Sequence, residues 1–278
     1  MIRLGGDLFV KYPDPEDWVR ALQQEGYRAA RCPIGADADE SVIQAHRQAA
    51  ERHDIMIAEV GAWSNPISPD EAKRREAIAH CKRQLHLADR IGALACVNIA
   101  GSRGEQWDGP HPDNFNDDTF AMIVDTVRDI IDEVQPSTAC YALETMPWVF
   151  PDSADSYLDL FRAIDRKAFA VHYDPVNMVS SPRLYYRNAD MIRDFIAKLG
   201  PHIVTCHAKD IRLNSKLTVQ LDEVVPGQGE LAYPVLLREL HALGRDMPVI
   251  IEHLPTAEES RAAATYIRAI AEQEQIPL

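Results

Sequence analysis

Nothing in this sequence of 278 residues suits a membrane: no apolar run approaches the ~18 residues that a span requires. Positive charge is in deficit. Lys and Arg number 29 against 43 Asp and Glu, a formal net charge of −14, whereas a dedicated nucleic-acid surface needs the opposite balance. Cysteine is sparse as well. The five residues Cys32, Cys81, Cys96, Cys140 and Cys206 are too few and too scattered for a disulfide framework or a CxxC zinc site. Four of them (Cys32, Cys96, Cys140 and Cys206) lie in apolar, strand-like runs where a free thiol behaves as a small hydrophobe. No repeat or low-complexity segment interrupts the chain. No glycine-rich phosphate loop follows the first apolar run either, where the chain reads Asp7-Leu8-Phe9-Val10-Lys11-Tyr12. Met1-Ile2-Arg3-Leu4-Gly5-Gly6 reads as the start of a strand rather than as a secretory leader, so a cytoplasmic protein is expected.

What is present is a regular alternation. Short apolar runs at Ile2–Gly5, Arg28–Pro33, Ile55–Ala62, Leu94–Ala100, Thr138–Thr145, Ala168–Asp174, Ile203–Ala208 and Pro248–His253 predict strands. Helical patterns follow each of them, at Pro15–Glu25, Asp39–His53, Pro69–Ile91, Asp117–Glu133, Ala154–Ile164, Ala189–Lys198, Pro234–Leu243 and Ala257–Glu272. In the fourth, Phe120, Ile123, Val124, Val127, Ile130 and Ile131 fall on one stripe. Eight such units without a long linker predict one (β/α)8 barrel, a TIM barrel, over residues 1–278. A doubly wound open sheet usually has fewer strands and places a nucleotide loop after the first.

A barrel of this kind carries its chemistry at the C-terminal ends of its strands. Four consecutive strand candidates deliver ionisable groups there: Glu144, the pair His172 and Asp174, the pair His207 and Lys209, and Glu252. Period-two alternation puts the members of each pair on one face. Three carboxylates gathered in one mouth repel unless a cation or protons compensate. Three oxygen donors and one imidazole suit Mn²⁺ or Mg²⁺, with Co²⁺ also fitting, better than a thiolate-rich zinc site.

Five segments carry a family resemblance: Leu143-Glu144-Thr145, His172-Tyr173-Asp174-Pro175-Val176-Asn177, His207-Ala208-Lys209-Asp210, Pro226-Gly227-Gln228-Gly229-Glu230 and Ile251-Glu252-His253. Through them the chain resembles the xylose isomerase-like barrels, sugar isomerases and epimerases, and within these the D-tagatose 3-epimerase and D-psicose 3-epimerase branch. The resemblance implies one divalent metal held by Glu144, Asp174, His207 and Glu252. It also implies that Glu144 and Glu252 exchange protons with a substrate carbon, and that the barrel associates as a homodimer or homotetramer. Where that branch carries a substrate-contacting His three residues after the metal-binding Asp, this sequence has Asn177. Arg212 is the counterpart of an Arg that follows the metal-binding His.

Further substrate contacts are expected from Glu59 and Trp63 at the end of the third strand, from Trp148 shortly after Glu144, and from His172 and Lys209. Trp107 and His111 lie on a long loop after the fourth strand, of the kind that often covers a barrel mouth. The segment Gly227-Gln228-Gly229-Glu230-Leu231-Ala232 has the form G-x-G-x-x-A, yet it does not follow the first strand of a βαβ unit and reads as a tight turn.

The expected reaction is an epimerisation or isomerisation of a sugar, a ketose or keto-sugar derivative, through an enediolate whose oxygens a divalent cation holds. The alternative is a lyase or deglycosidase acting on an oxidised 3-keto glycoside, in which the same intermediate expels a neighbouring leaving group. A DNA-repair endonuclease related to the same barrels is disfavoured by the negative charge and by the few strand-end histidines. Neither a nucleic acid nor a membrane is expected as a partner.

Overall fold

The computed structural model describes all 278 residues. Eight parallel strands close a barrel: β1 (Ile2–Gly5), β2 (Ala29–Arg31), β3 (Met56–Gly61), β4 (Ala95–Asn98), β5 (Cys140–Glu144), β6 (Phe169–Tyr173), β7 (Ile203–Ala208) and β10 (Met247–Ile251). Each neighbours the next around the ring, and β1 closes onto β10 with Ile2 opposite Met247 and Gly5 opposite Ile250. Helices α1 (Pro15–Gln24), α2 (Glu40–Arg52), α3 (Glu71–Ile91), α4 (Asp117–Val134), α5 (Ala154–Ile164), α7 (Asn188–Leu199), α8 (Tyr233–Ala242) and α9 (Ala257–Gln273) form the outer layer. The family-level expectation of a (β/α)8 barrel is met. No helix is long and apolar enough to cross a membrane.

The helices begin where local chemistry allows. Asp14 accepts from the Asp17 amide ahead of Pro15, Asn116 accepts from the Thr119 amide ahead of α4, and Thr256 does so from Glu259 ahead of α9. On α4 the residues Ile123, Val124, Val127, Ile130 and Ile131 are buried as the stripe requires, while Phe120 is half-buried. Near the end of α3, Asp89 accepts from the backbone amides of Ser137, Thr138 and Ala139 and from two hydroxyls. That pins the lead-in to β5.

Inside the barrel the side chains are small. Ala95, Val97, Ala142 and Ala170 pack together, as do Ala29, Ala58 and Ile250. Gly5 fits only because it lacks a Cβ, which would stand 2.3 Å from the Ala29 carbonyl oxygen. Two register shifts break the alternation. Across β2 and β3, Ala30 faces Ile57 but Arg31 faces Glu59, so Ala58 is an extra residue. Across β6 and β7, Val171 faces Ile203 but His172 faces Thr205, so Val204 is another.

Three features differ from the sequence-based expectation. Six of the eight barrel strands are one to three residues shorter than their apolar runs, because the flanking residues leave the ladder to begin the loops. A two-stranded antiparallel hairpin, β8 (Asp210–Leu213) with β9 (Leu221–Val224), rises where only loop was expected. A short helix, α6 (Pro182–Tyr186), precedes α7. All five cysteines are free thiols: Cys81, Cys96 and Cys206 are buried, and Cys32 and Cys140 half-buried. Burial pushes the Cys96 and Cys206 thiols well up, which leaves them inert.

Candidate active site

The four strands β5, β6, β7 and β10 are consecutive around the barrel. At their C-terminal ends Glu144, Asp174, His207 and Glu252 offer ligand atoms that all lie within 4.8 Å of one another, and all four residues are buried. Local structure aims each one. Asp174 uses Oδ1 to accept from the amides of Val176 and Asn177 at 2.9 and 3.2 Å, a turn that leaves Oδ2 for the cluster. Thr145 donates its hydroxyl to the Asp174 carbonyl at 2.8 Å, tying the ends of β5 and β6 together. From outside, the Tyr157 hydroxyl bonds the carbonyls of Leu143 and Ala170 on the same two strands.

His207 is the hub. Its Nδ1 lies 2.6 Å from Glu252 Oε1, 3.2 Å from Glu144 Oε1 and 4.0 Å from Asp174 Oδ2. Its Nε2 faces Glu59 Oε1 at 3.3 Å. The Lys209 ammonium stands 2.7 Å from both Asp174 Oδ2 and Glu252 Oε1, and 3.6 Å from Glu144. Neither of those two close oxygens accepts a hydrogen bond of proper geometry. They are aimed at a common space and lack aligned donors.

The electrostatics divide the two glutamates. Burial raises Glu144 to about 7, against the pull of Lys209 and His207. Burial also opposes ionisation of Glu252, but His207, Lys209 and Arg31 outweigh it and hold this carboxyl well below the usual range. Asp174 is lowered in the same way, burial being overcome by Lys209 and His207. His207 is raised well above an ordinary imidazole, because Glu252 and Glu59 overcome its burial. One carboxyl kept near neutral beside one kept ionised is the pattern of an acid and base pair.

Above the cluster opens a cavity of about 490 Å³, within the range of small-molecule sites. Of the expected substrate contacts, Trp63, Trp148, Asn177 and Lys209 line it. Asn177 donates to Glu144 Oε1 at 3.2 Å, and the Trp148 indole N–H donates to the Asp108 carbonyl at 2.8 Å. Glu59 and His172 lie elsewhere, beneath the cluster and enclosed: His172 meets His207 edge-on, bonds Thr205 through Nδ1, and is lowered to about 3 by burial and by His207. His111 stands apart from the cavity, accepting from the Asp113 amide ahead of a 3₁₀ turn at Pro112–Phe115. Arg212 points from β8 to solvent and makes no ion pair.

One charged residue escaped the sequence reading. Arg31 at the end of β2 donates to Glu59 at 2.9 Å and to Glu252 at 2.7 Å, and also pairs with Asp7. The signal was the same as elsewhere, an ionisable residue closing a strand, here at the end of β2 in Arg28–Pro33. The hairpin joins the mouth through Glu223, which accepts from His253 Nδ1 at 3.1 Å. The Gly227–Ala232 turn holds no phosphate cradle. Its amides at Gly227, Gly229 and Leu231 all point at the Asp210 carboxylate, and a Cβ on Gly229 would stand 2.3 Å from that group.

The xylose isomerase-like TIM barrel family matches residues 19–270. No curated protein matches the sequence. Among solved structures the chain superposes on 3-keto-D-glucoside 4-epimerase from E. coli with a TM-score of 0.71 and 14% identity, covering 97% of this chain and 100% of that one. D-psicose 3-epimerase from Clostridium cellulolyticum H10 gives 0.68 at 15% identity, covering 96% and 99%. A probable 3-DHS dehydratase from Bacillus anthracis gives 0.70 at 15%, covering 98% and 99%. At these identities the likeness shows the fold.

Proposed function

The chain belongs to the xylose isomerase-like TIM barrel family, and we propose that it is a divalent-metal-dependent sugar isomerase or epimerase. It moves a proton on a carbon beside a carbonyl in a ketose or keto-sugar derivative. The observation that carries this reading is the convergence of Glu144, Asp174, His207 and Glu252 within 4.8 Å. The donor set fits a hard divalent ion, Mn²⁺ by preference, because three carboxylates and one imidazole meet there with two oxygens lacking aligned donors. A cation held there supplies positive charge beside the substrate's carbonyl and adjacent hydroxyl oxygens as the proton leaves.

The chain's own residues do the rest. Of the two glutamates, one removes the proton from one face of the carbon and the other returns one to the opposite face. The two approach from β10 and β5, with β6 and β7 between them in the wall. Asp174 and His207 fix the ion. Trp63 and Trp148 offer indole faces to a sugar ring, and Asn177 holds Glu144 in place. Two of the structural neighbours named above are sugar epimerases, which supports this reading. The neighbour named as a probable dehydratase, together with Asn177 at a position where epimerases carry His, favours a second reading. In that case the same enediolate expels a leaving group, as in a lyase or deglycosidase.

The test is turnover of ketoses and 3-keto glycosides by Mn²⁺-loaded protein in D₂O. Deuterium should enter the product at the reacting carbon, since a carboxyl exchanges its proton with solvent between half-reactions. Glu144→Gln and Glu252→Gln should each lower the rate at least ~10²-fold while metal content, read by elemental analysis, is retained. Unlabelled product together with near-normal turnover in both variants refutes the two-glutamate mechanism. Release of an aglycone selects the lyase reading.

A further inference from the structure

Beside the mouth lies a second, larger hollow that the proton-transfer chemistry does not use. This open cleft of about 950 Å³ runs along the first turns of α3 and under the loop that follows β4. Trp63 and Trp107 line both it and the inner cavity. The two indoles are 40% and 38% exposed, which is unusual for the largest apolar side chain, and neither N–H has a partner within the protein. Beyond them the lining turns polar, with Asn65, Lys73, Glu76, His80 and Glu105. The Lys73 ammonium and the Glu105 carboxylate enter no ion pair, and the His80 ring makes no hydrogen bond. Exposed indoles followed by unengaged polar groups match a pyranose, which presents a C–H face for stacking and a rim of hydroxyls for hydrogen bonds.

We propose that this cleft is a second sugar-ring subsite. The substrate is then a glycoside of at least two rings rather than a free monosaccharide. Its reacting ring sits over Glu144 and Glu252, and its second ring lies on Trp107 and Trp63 and reaches toward Lys73 and His80. The inference rests on the reading of the inner cavity as a sugar site, and it narrows the substrate class. The inner cavity holds the reacting ring, and an outer cleft with twice that volume has room for another.

The test measures binding, so it stands whether or not turnover is found. Full-length Mn²⁺-loaded protein is titrated by calorimetry with D-glucose and with the unreactive disaccharides cellobiose, maltose and trehalose, and contacts are mapped by saturation-transfer NMR. At least one disaccharide should bind tenfold or more tightly than D-glucose. Lys73→Ala and His80→Ala, which touch only the outer cleft, should each lower that disaccharide's affinity at least fivefold and leave D-glucose within twofold. Trp107→Ala should remove most of the disaccharide advantage, with unchanged circular dichroism confirming the fold. Disaccharides binding no more tightly than D-glucose, or cleft variants that leave both affinities unchanged, would overturn the subsite. Absence of deuterium in product would count against the proton-transfer reading alone.

Discussion

Replacing Glu59 by Gln should weaken metal binding although this residue lies outside the four-residue cluster. Metal binding depends on which ring nitrogen of His207 carries the proton. Nδ1 faces Glu252 at 2.6 Å and Glu144 at 3.2 Å, so it is the nitrogen available to a cation. It can ligate only when its remaining proton sits on Nε2. Glu59 Oε1, 3.3 Å from Nε2 and fixed by Arg31 Nε at 2.9 Å, selects that tautomer and orients the ring. Loss of such an outer partner typically costs 10–100-fold in metal affinity, about 1.4–2.7 kcal/mol. Glu59 is 1% exposed, so water screens little of its charge and the upper part of that range is expected. The assay is a Mn²⁺ titration followed by electron paramagnetic resonance on wild type and Glu59→Gln. It has a pH arm with a definite sign. Burial disfavours the His207 imidazolium, but Glu252 and Glu59 outweigh it and keep the ring protonated. Mn²⁺ must therefore displace a proton, and wild-type affinity should rise with pH. A Kd for Glu59→Gln within twofold of wild type, with the same pH slope, would refute the tautomer argument.

Two further outcomes follow from buried or bonded charges. Lys209→Met leaves three buried carboxylates without the ammonium now 2.7 Å from two of them. Stability in EDTA should drop by about 3–5 kcal/mol and Mn²⁺ should restore much of it, so an equal loss of Tm with and without Mn²⁺ counts against that account. Asp89→Ala removes three amide and two hydroxyl donations that hold the start of β5, and should cost about 2 kcal/mol in urea unfolding at pH 7. Burial opposes ionisation of Asp89, but the amides of Ala139, Ser137 and Thr138 hold its pKa below the ordinary carboxylate value. The stabilisation is therefore complete above about pH 4 and falls by about 1.4 kcal/mol per pH unit below that, until the folded-state pKa is reached. A difference between variant and wild type that does not shrink from pH 7 to pH 3 would show that the carboxylate charge is not the cause.

The barrel was legible because each strand is a bounded apolar run and each helix has a stripe, as on α4, and the closed ring follows from their number. The ends of β5, β6, β7 and β10 were legible for a related reason: alternation places one ionisable side chain per strand at the same height. The β8 and β9 hairpin was not, since four-residue strands carrying Asp210, Arg212, Asp222 and Glu223 offer only Ile211 and Leu213, then Leu221 and Val224, too few apolar residues to stand out from a loop. Glu59 and His172 were picked out as strand-end groups, but sequence could not say that they lie under the cluster rather than over it. That depth depends on register, which only the neighbouring strands determine. Arg31 was not legible because it closes a three-residue strand outside the run from β5 to β10, and only the folded barrel brings Asp7, Glu59 and Glu252 onto it.

The extra residue at Ala58 has a consequence for how such a site can be gained or lost. With Ala58 inside the barrel beside Ala29 and Ile250, strict alternation would send the next side chain outward into the helical layer. The register shift instead turns Glu59 inward to His207. Losing the bulge without losing a residue, by pairing β3 in plain alternation, would turn Glu59 outward and strip His207 of its outer partner with every metal ligand still in place, whereas deleting Ala58 would leave Ile57 outward and Glu59 inward. A lineage could abandon or acquire the outer partner of His207 through strand register alone, and an aligned comparison that scored only ligand identities would register no change.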